Sequence, residues 1–402
     1  MPIPVNTIFI SLLSALLLSG SLAWAQSINL NVEPLAHIDT TATVIDGAEF
    51  EDLPLGAHDP SDEFVLQGLE SRFTFNSPYL DGTLIWNFFY DGDEWGEENE
   101  EAYLTFPTAP GNAILRGGRM LNRFGVLNNT HLHGREWRDV PLVLTSFLGE
   151  EGLTTEGADL TVPLPSSAFA SVPVLRDASI GFTLGYGVAR EHDDHGHGDE
   201  DEDHDDELED DHREDEHGHD EDEGPVFDDG LLTARLAGAF APNEFHRLLA
   251  GVSLALGEDE DNGDLTVGGI DLTYHWSEFG YDAGRELNWS SEFLLRDSDA
   301  GGQQFGAYSR ALLRFPNPFG VGLRVGVLEG DHTQDTETSW RISPLLAWYP
   351  PTLPNATVRL QGNHIELPQG GDAQTVNLGF SIGLGGLGGF GSGGGGHEGH
   401  NH

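Results

Sequence analysis

The feature that most restricts this chain is a two-residue alternation carried by segments of about ten residues, the length of a membrane-crossing strand. Along 178–188, Ile180, Phe182, Leu184, Tyr186 and Val188 fall on one side of an extended backbone, opposite Ser179, Gly181, Thr183, Gly185 and Gly187. Along 375–384, Val376, Leu378, Phe380, Ile382 and Leu384 oppose Thr375, Asn377, Gly379, Ser381 and Gly383. Leu69, Ser71, Phe73 and Phe75 make a third set, and Val321, Leu323, Val325 and Val327, with Arg324 opposite, a fourth. A helix would scatter these residues round its circumference, whereas a strand gathers them on one face. An apolar face backed by glycine, small polar residues and charge suits a strand with lipid on one side and water on the other. A soluble β-sandwich also alternates, so the connections between strands carry the decision.

Proline-bearing turns stand at Ser77-Pro78, Pro107 to Pro110, Pro242-Asn243, Pro316-Asn317-Pro318 and Pro350 to Pro354. Between them lie longer acidic or glycine-rich connections at 91–99, 121–156, 190–229, 257–264, 297–304 and 330–339. Short and long connections alternate as periplasmic turns and extracellular loops do in outer-membrane barrels, and this favours the barrel over the sandwich. The pattern predicts an all-β fold, a transmembrane antiparallel β-barrel of about 16 strands running from about Ile28 to Leu384. That strand number leaves an aqueous lumen. Trp86, Tyr90, Trp276, Trp289, Trp340, Trp348 and Tyr349 are expected near strand ends as interfacial girdles. No stretch reaches the ~18 consecutive apolar residues of a membrane helix.

Ahead of the barrel, Ile8 to Leu18 is an apolar run, and Ala23-Trp24-Ala25 supplies a small-x-small cleavage pattern before Gln26. The expected organisation is a signal peptide over 1–25, a barrel over 26–384 and a Gly/His-rich periplasmic tail over 385–402. Met1 to Thr7 departs from the signal pattern in lacking Lys and Arg. No separate domain of plug size is expected before the first strand, which favours passive passage over energy-coupled uptake.

Charge narrows the partners. The chain has 68 acids against 18 bases, a net charge of −50, no cysteine and no lysine. Nucleic acid is excluded as a partner, and thiolate metal sites and thiol nucleophiles with it. Much of that charge sits in 191–223, where 21 acids, one arginine and seven histidines fall within 33 residues. His192, His195, His197, His204, His212, His217 and His219 stand among carboxylates, with a His-Gly-His unit near each end. Imidazole and carboxylate together suit zinc, nickel or copper, and with Leu208 as its only aliphatic residue the segment has nothing to bury. By strand parity it is an extracellular loop that binds metal ions; the bland alternative is a solvated charge run. His397, His400 and His402 form a second histidine-bearing place, either a weak metal relay on the periplasmic side or a plain flexible tail.

The connection 121–156 is long and carries its own apolar residues, Val140, Leu142, Leu144 and Phe147, so it is expected to fold inward and narrow the lumen or to pack over the mouth. Within it, His131 and His133 with Glu136 or Asp139 form a candidate metal site; alternatively the histidines and Asn128 hydrogen-bond backbone to hold the loop. Arg116, Arg119, Arg123, Arg324 and Arg359 are candidate lumen-facing residues, setting a field across a constriction or pairing with acids.

The segment 97–165 resembles porin-like outer-membrane proteins that bacteria encode beside zinc-uptake systems, distant relatives of phosphate-selective porins. The matching residues are Glu101-Ala102-Tyr103, Gly118-Arg119, Arg123-Phe124-Gly125, Asn128, His131-Leu132-His133, Asp139 with Pro141-Leu142, Gly149 to Gly152, Gly157 and Pro163 to Pro165. The resemblance implies a single outer-membrane barrel with a link to zinc. Phosphate-selective relatives line the lumen with lysines, and the absence of lysine here puts anion selectivity in doubt.

These readings converge on an outer-membrane barrel that captures a divalent transition metal, zinc being the expected ion, bound weakly and reversibly, and lets it diffuse into the periplasm. Outer-membrane lipid, metal ions, a periplasmic metal-binding protein and a homotrimer are the expected partners. The alternatives are a general diffusion porin with an incidental metal-binding loop, and an exported soluble metal-buffering protein. No enzyme is expected, because no nucleophile elbow, P-loop or His-Glu-x-x-His appears.

Overall fold

The computed structural model of the chain describes residues 29–46, 64–77, 80–90, 95–109, 112–131, 134–149, 152–165, 167, 178–189, 227–228, 230–259, 263–279, 284–299, 301–329, 338–353, 355–366 and 372–384. The calls on the signal peptide, on 191–223 and on the tail lie outside these residues. The strands are β1 (Asn29–Asp46), β2 (Phe64–Asn76), β3 (Asp81–Tyr90), β4 (Trp95–Ala109), β5 (Ala113–Leu121), β6 (Thr154–Leu164), β7 (Ser179–Ala189) and β8 (Gly230–Asn243). They continue as β9 (His246–Glu258), β10 (Asp264–Ser277), β11 (Glu286–Ser298), β12 (Gly302–Arg314), β13 (Phe319–Leu328), β14 (Ser339–Trp348), β15 (Ala356–Glu366) and β16 (Asp372–Leu384). Each pairs antiparallel with its neighbours in the chain, and β1 pairs with β16 from Ala36↔Leu384 to Asp46↔Gln374. The ring is therefore closed by the β1–β16 pairing.

The wall is inside out relative to a soluble barrel. On β9, Val252 is 56% exposed and points outward while its neighbour Ser253 is 3% exposed and points inward. On β16, Val376 and Leu378 face out, and Thr375 and Asn377 are buried within. A sandwich would reverse these faces, so the direction of the alternation excludes it. Among the described residues no helix is long and apolar enough to cross a membrane.

Connections 47–63, 122–153, 190–229 and 329–338 leave one end of the barrel, and 77–80, 110–112, 244–245 and 315–318 leave the other. The expected asymmetry holds in order but is narrower than expected. Glu97 to Asn99 belong to β4 rather than to a loop. The 259–263 connection is a tight hairpin closed by Asp259 N–H to Gly263 O at 2.9 Å, and 299–301 is shorter still. The connection 165–178, at the turn end, is longer than any turn expected there.

The aromatic girdle is found in part. Trp340 and Trp348 occupy outward positions at opposite ends of β14, and outward Trp289 donates from Nε1 to Ser309 Oγ at 3.0 Å. Tyr349 departs from the expectation: it stacks under the Arg314 guanidinium, 4.1 Å from the ring centre.

Candidate functional site

The connection between β5 and β6 turns into the lumen. Its neck is held by Asn122 N–H donating to Leu153 O at 2.9 Å, and by Asn128. Asn128 Nδ2 donates to Asn122 O and Leu153 O, and Oδ1 accepts from Leu153 N–H at 2.6 Å. Gly152 closes this neck at φ 89°, where a Cβ would stand 2.6 Å from Asn128 Oδ1, so glycine is required twice over. Of the reading in which both histidines and Asn128 hold the backbone, the Asn128 part is met, while the His131 ring meets carboxylates instead.

Beyond the neck the segment runs across the inner wall. Gly125 N–H donates to Ser253 Oγ on β9, and Val126 N–H to Glu292 on β11, which also accepts from Tyr308 Oη on β12. Trp137 Nε1 donates to Ser343 O on β14, and Arg138 N–H to Gln361 Oε1 on β15. A short helix, α1 (Leu142–Leu148), lays Val143, Leu144, Phe147 and Leu148 into a core completed by Phe124, Leu127 and inward Leu265, Val267 and Leu294. Inward glycines make room for it: a Cβ at Gly306 would stand 2.4 Å from Val143, and one at Gly322 would stand 2.9 Å from Trp137. The segment thus folds inward, as its length and apolar content predicted.

Asp139 is the electrostatic anchor. Arg324 Nη2 reaches its Oδ1 at 2.6 Å, Arg341 Nη1 its Oδ2 at 2.5 Å, and Gln361 Nε2 its Oδ1 at 2.5 Å. Burial pushes this carboxyl up, but the two guanidiniums outweigh it and hold it below the usual carboxylate range. Three residues earlier, Glu136 meets Arg310 at 2.7 Å in a wetter setting. Arg310, Arg324, Arg341 and Arg359 stand on four consecutive strands, β12 to β15, and form a cationic arc. Burial and the neighbouring Arg310 lower Arg135 to about 10.

His131 occupies the opposite arc. Its Nδ1 lies 2.7 Å from Glu100 Oε2 and its Nε2 3.1 Å from Glu101 Oε2. Burial acts to lower its pKa, yet the Glu100 and Glu101 carboxylates prevail and hold the imidazole well above the ordinary histidine range. The expected grouping of His131 with Glu136 or Asp139 is therefore corrected: both acids are claimed by arginines across the lumen, and His131 meets β4 instead. His133 lies outside the described residues, as do His192, His195, His197, His204, His212, His217, His219, His397, His400 and His402.

The expected lumen arginines divide by partner. Arg116 pairs with Asp159 and packs over the Tyr103 ring, and Arg119 stands 3.9 Å from Glu98. Arg123 donates to Thr161 Oγ1 at 2.6 Å and Arg359 to Ser381 Oγ at 2.6 Å. Sequence reasoning missed Arg310, Arg341 and Gln361, although inward parity along β12, β14 and β15 marks all three. It also missed Glu100 and Glu101 as partners of His131.

No family model and no curated protein matches the chain. Solved structures do. An anion-selective porin from Comamonas acidovorans aligns at a TM-score of 0.53 and 10% identity, covering 89% of this chain and 99% of that one. The outer-membrane channel DcaP of Acinetobacter baumannii aligns at a TM-score of 0.53 and 12% identity, covering 90% and 99%. OmpT, an outer-membrane protein of Vibrio cholerae, in its trimer form, aligns at 0.52 and 8%, covering 89% and 99%. At these identities the likeness is one of fold: the chain has the fold of outer-membrane porin barrels.

Proposed function

We propose that the chain is an outer-membrane porin-like channel that captures a divalent transition metal, zinc first, at its histidine- and acid-rich loop and lets it diffuse into the periplasm. The observation that carries this reading is one of placement. Strand parity sends 190–229 out of the same end of the barrel from which 122–153 folds into the lumen. An acidic, imidazole-bearing segment therefore belongs to the mouth that the inward loop narrows, where it raises the local cation concentration. Weak multi-site binding suits this role, because a tight site would stop flux. A homotrimer in outer-membrane lipid fits the reading, in line with the trimer form of one similar structure. The arginine arc of β12 to β15 favours a second reading, a general diffusion pore whose loop only shields the mouth.

Imidazole must be neutral to ligate, so zinc influx into proteoliposomes at low zinc is expected to fall severalfold as pH drops from about 7.5 to about 5.5, while glucose influx holds. Zinc influx that ignores pH over this range would remove the histidines from the mechanism.

A further inference from the structure

The inward loop does more at β4 than anchor itself. We propose that His131, Glu100 and Glu70 form a built site for a divalent cation of the zinc class inside the barrel, distinct from the histidine-rich loop; the choice of ion rests on the metal reading above. One donor atom from each of these residues lies within 4.8 Å of the other two. They come from three separate segments: the inward loop, β4 and β2. Glu101, whose Oε2 is 3.1 Å from His131 Nε2, adds a further carboxylate, and its Oε1 is held by Leu121 N–H at 3.0 Å.

The chemistry is the converse of that at Asp139. There, two guanidiniums surround one carboxylate. Around His131, three carboxylates surround one imidazole, a donor set of nitrogen and oxygen that matches a borderline cation; a divalent ion would displace the imidazolium proton and offset two of the three carboxylate charges. Glu70 is 2% exposed and Glu101 is 7% exposed, so water screens them little.

The backbone is shaped for this convergence. On β4, register passes from Ile85↔Glu101 to Trp86↔Asn99, which leaves Glu100 as the extra residue of a bulge. A bulge turns consecutive side chains toward one face, and both Glu100 and Glu101 reach His131 as a result. The β2–β3 register also shifts between Leu66 and Ser71, the stretch that carries Glu70.

The test is equilibrium binding of zinc ion alone to the full chain and to the chain lacking 191–223, each checked for the heat-modifiable gel migration of a folded barrel. The deletion is expected to remove the many weak sites and leave one zinc per barrel. In that background His131→Gln and Glu70→Gln should each weaken binding at least about tenfold, and Glu136→Gln should leave it unchanged. Should His131→Gln fail to fold, Glu70→Gln decides, since it leaves the His131 contacts to Glu100 and Glu101 in place. A folded loop-deleted barrel that binds no zinc, or folded His131→Gln and Glu70→Gln barrels that bind as their parent does, would overturn the site. Zinc capture by the outer loop would survive that result, because it is read separately from loop-dependent uptake.

Discussion

Replacing Asp139 by alanine is expected to release the inward loop and raise single-channel conductance in planar bilayers, with added open-channel noise. The change leaves Arg324 and Arg341, 3% and 2% exposed, facing one another without the carboxylate that both contact. Removing one partner of a buried ionic group costs about 3–5 kcal/mol, because the stranded charge remains desolvated. Glu136→Gln is the internal control. Its pair with Arg310 is wetter, the Glu136 side chain being 32% exposed, and a pair of that kind contributes under about 1 kcal/mol. Equal conductance and noise in the two variants would show that Asp139 does not hold the loop.

Val252→Arg should cost about 2–4 kcal/mol of folding stability in phospholipid vesicles, because the outward face of β9 meets hydrocarbon near its midplane. Two turns of the alternation further along, Leu256→Arg lies near the loop end of the same strand and should cost roughly 0–1 kcal/mol. In a water-facing sheet both changes would fall within about 0.5 kcal/mol, as exposed substitutions ordinarily do. Urea refolding into vesicles measures the difference. A flat response along the strand would mean that the apolar face is not in lipid.

Much of the barrel was legible because a two-residue period is a local property. Val321, Leu323 and Val325 alone put Arg324 on the inner wall, and the same parity orients most of the sixteen strands. The inward fate of 122–153 followed from its apolar residues, but its partners did not. Asp139 meets Arg324, Arg341 and Gln361 at sequence separations of 185, 202 and 222, and only closure of the ring brings those positions together. A connection has no period to fix which wall it touches, so nothing within the segment shows that Asp139 and His131 meet opposite walls. Glu97 to Asn99, expected in an acidic connection, lie on β4 because pairing with β3 holds them there, and the bulge next to them is what turns Glu100 toward His131. Strand register, which no single segment encodes, also decided that 259–263 and 299–301 are tight hairpins.

We propose that the histidine-rich connection captures metal for the pore beneath it. Zinc uptake by zinc-starved cells carrying either the intact chain or one lacking 191–223 tests it most directly. The deletion is expected to abolish the uptake advantage at low zinc, and high zinc to restore it, since the pore still conducts. Equal uptake by the two chains at low zinc would contradict it and leave a general diffusion pore with a shielding loop.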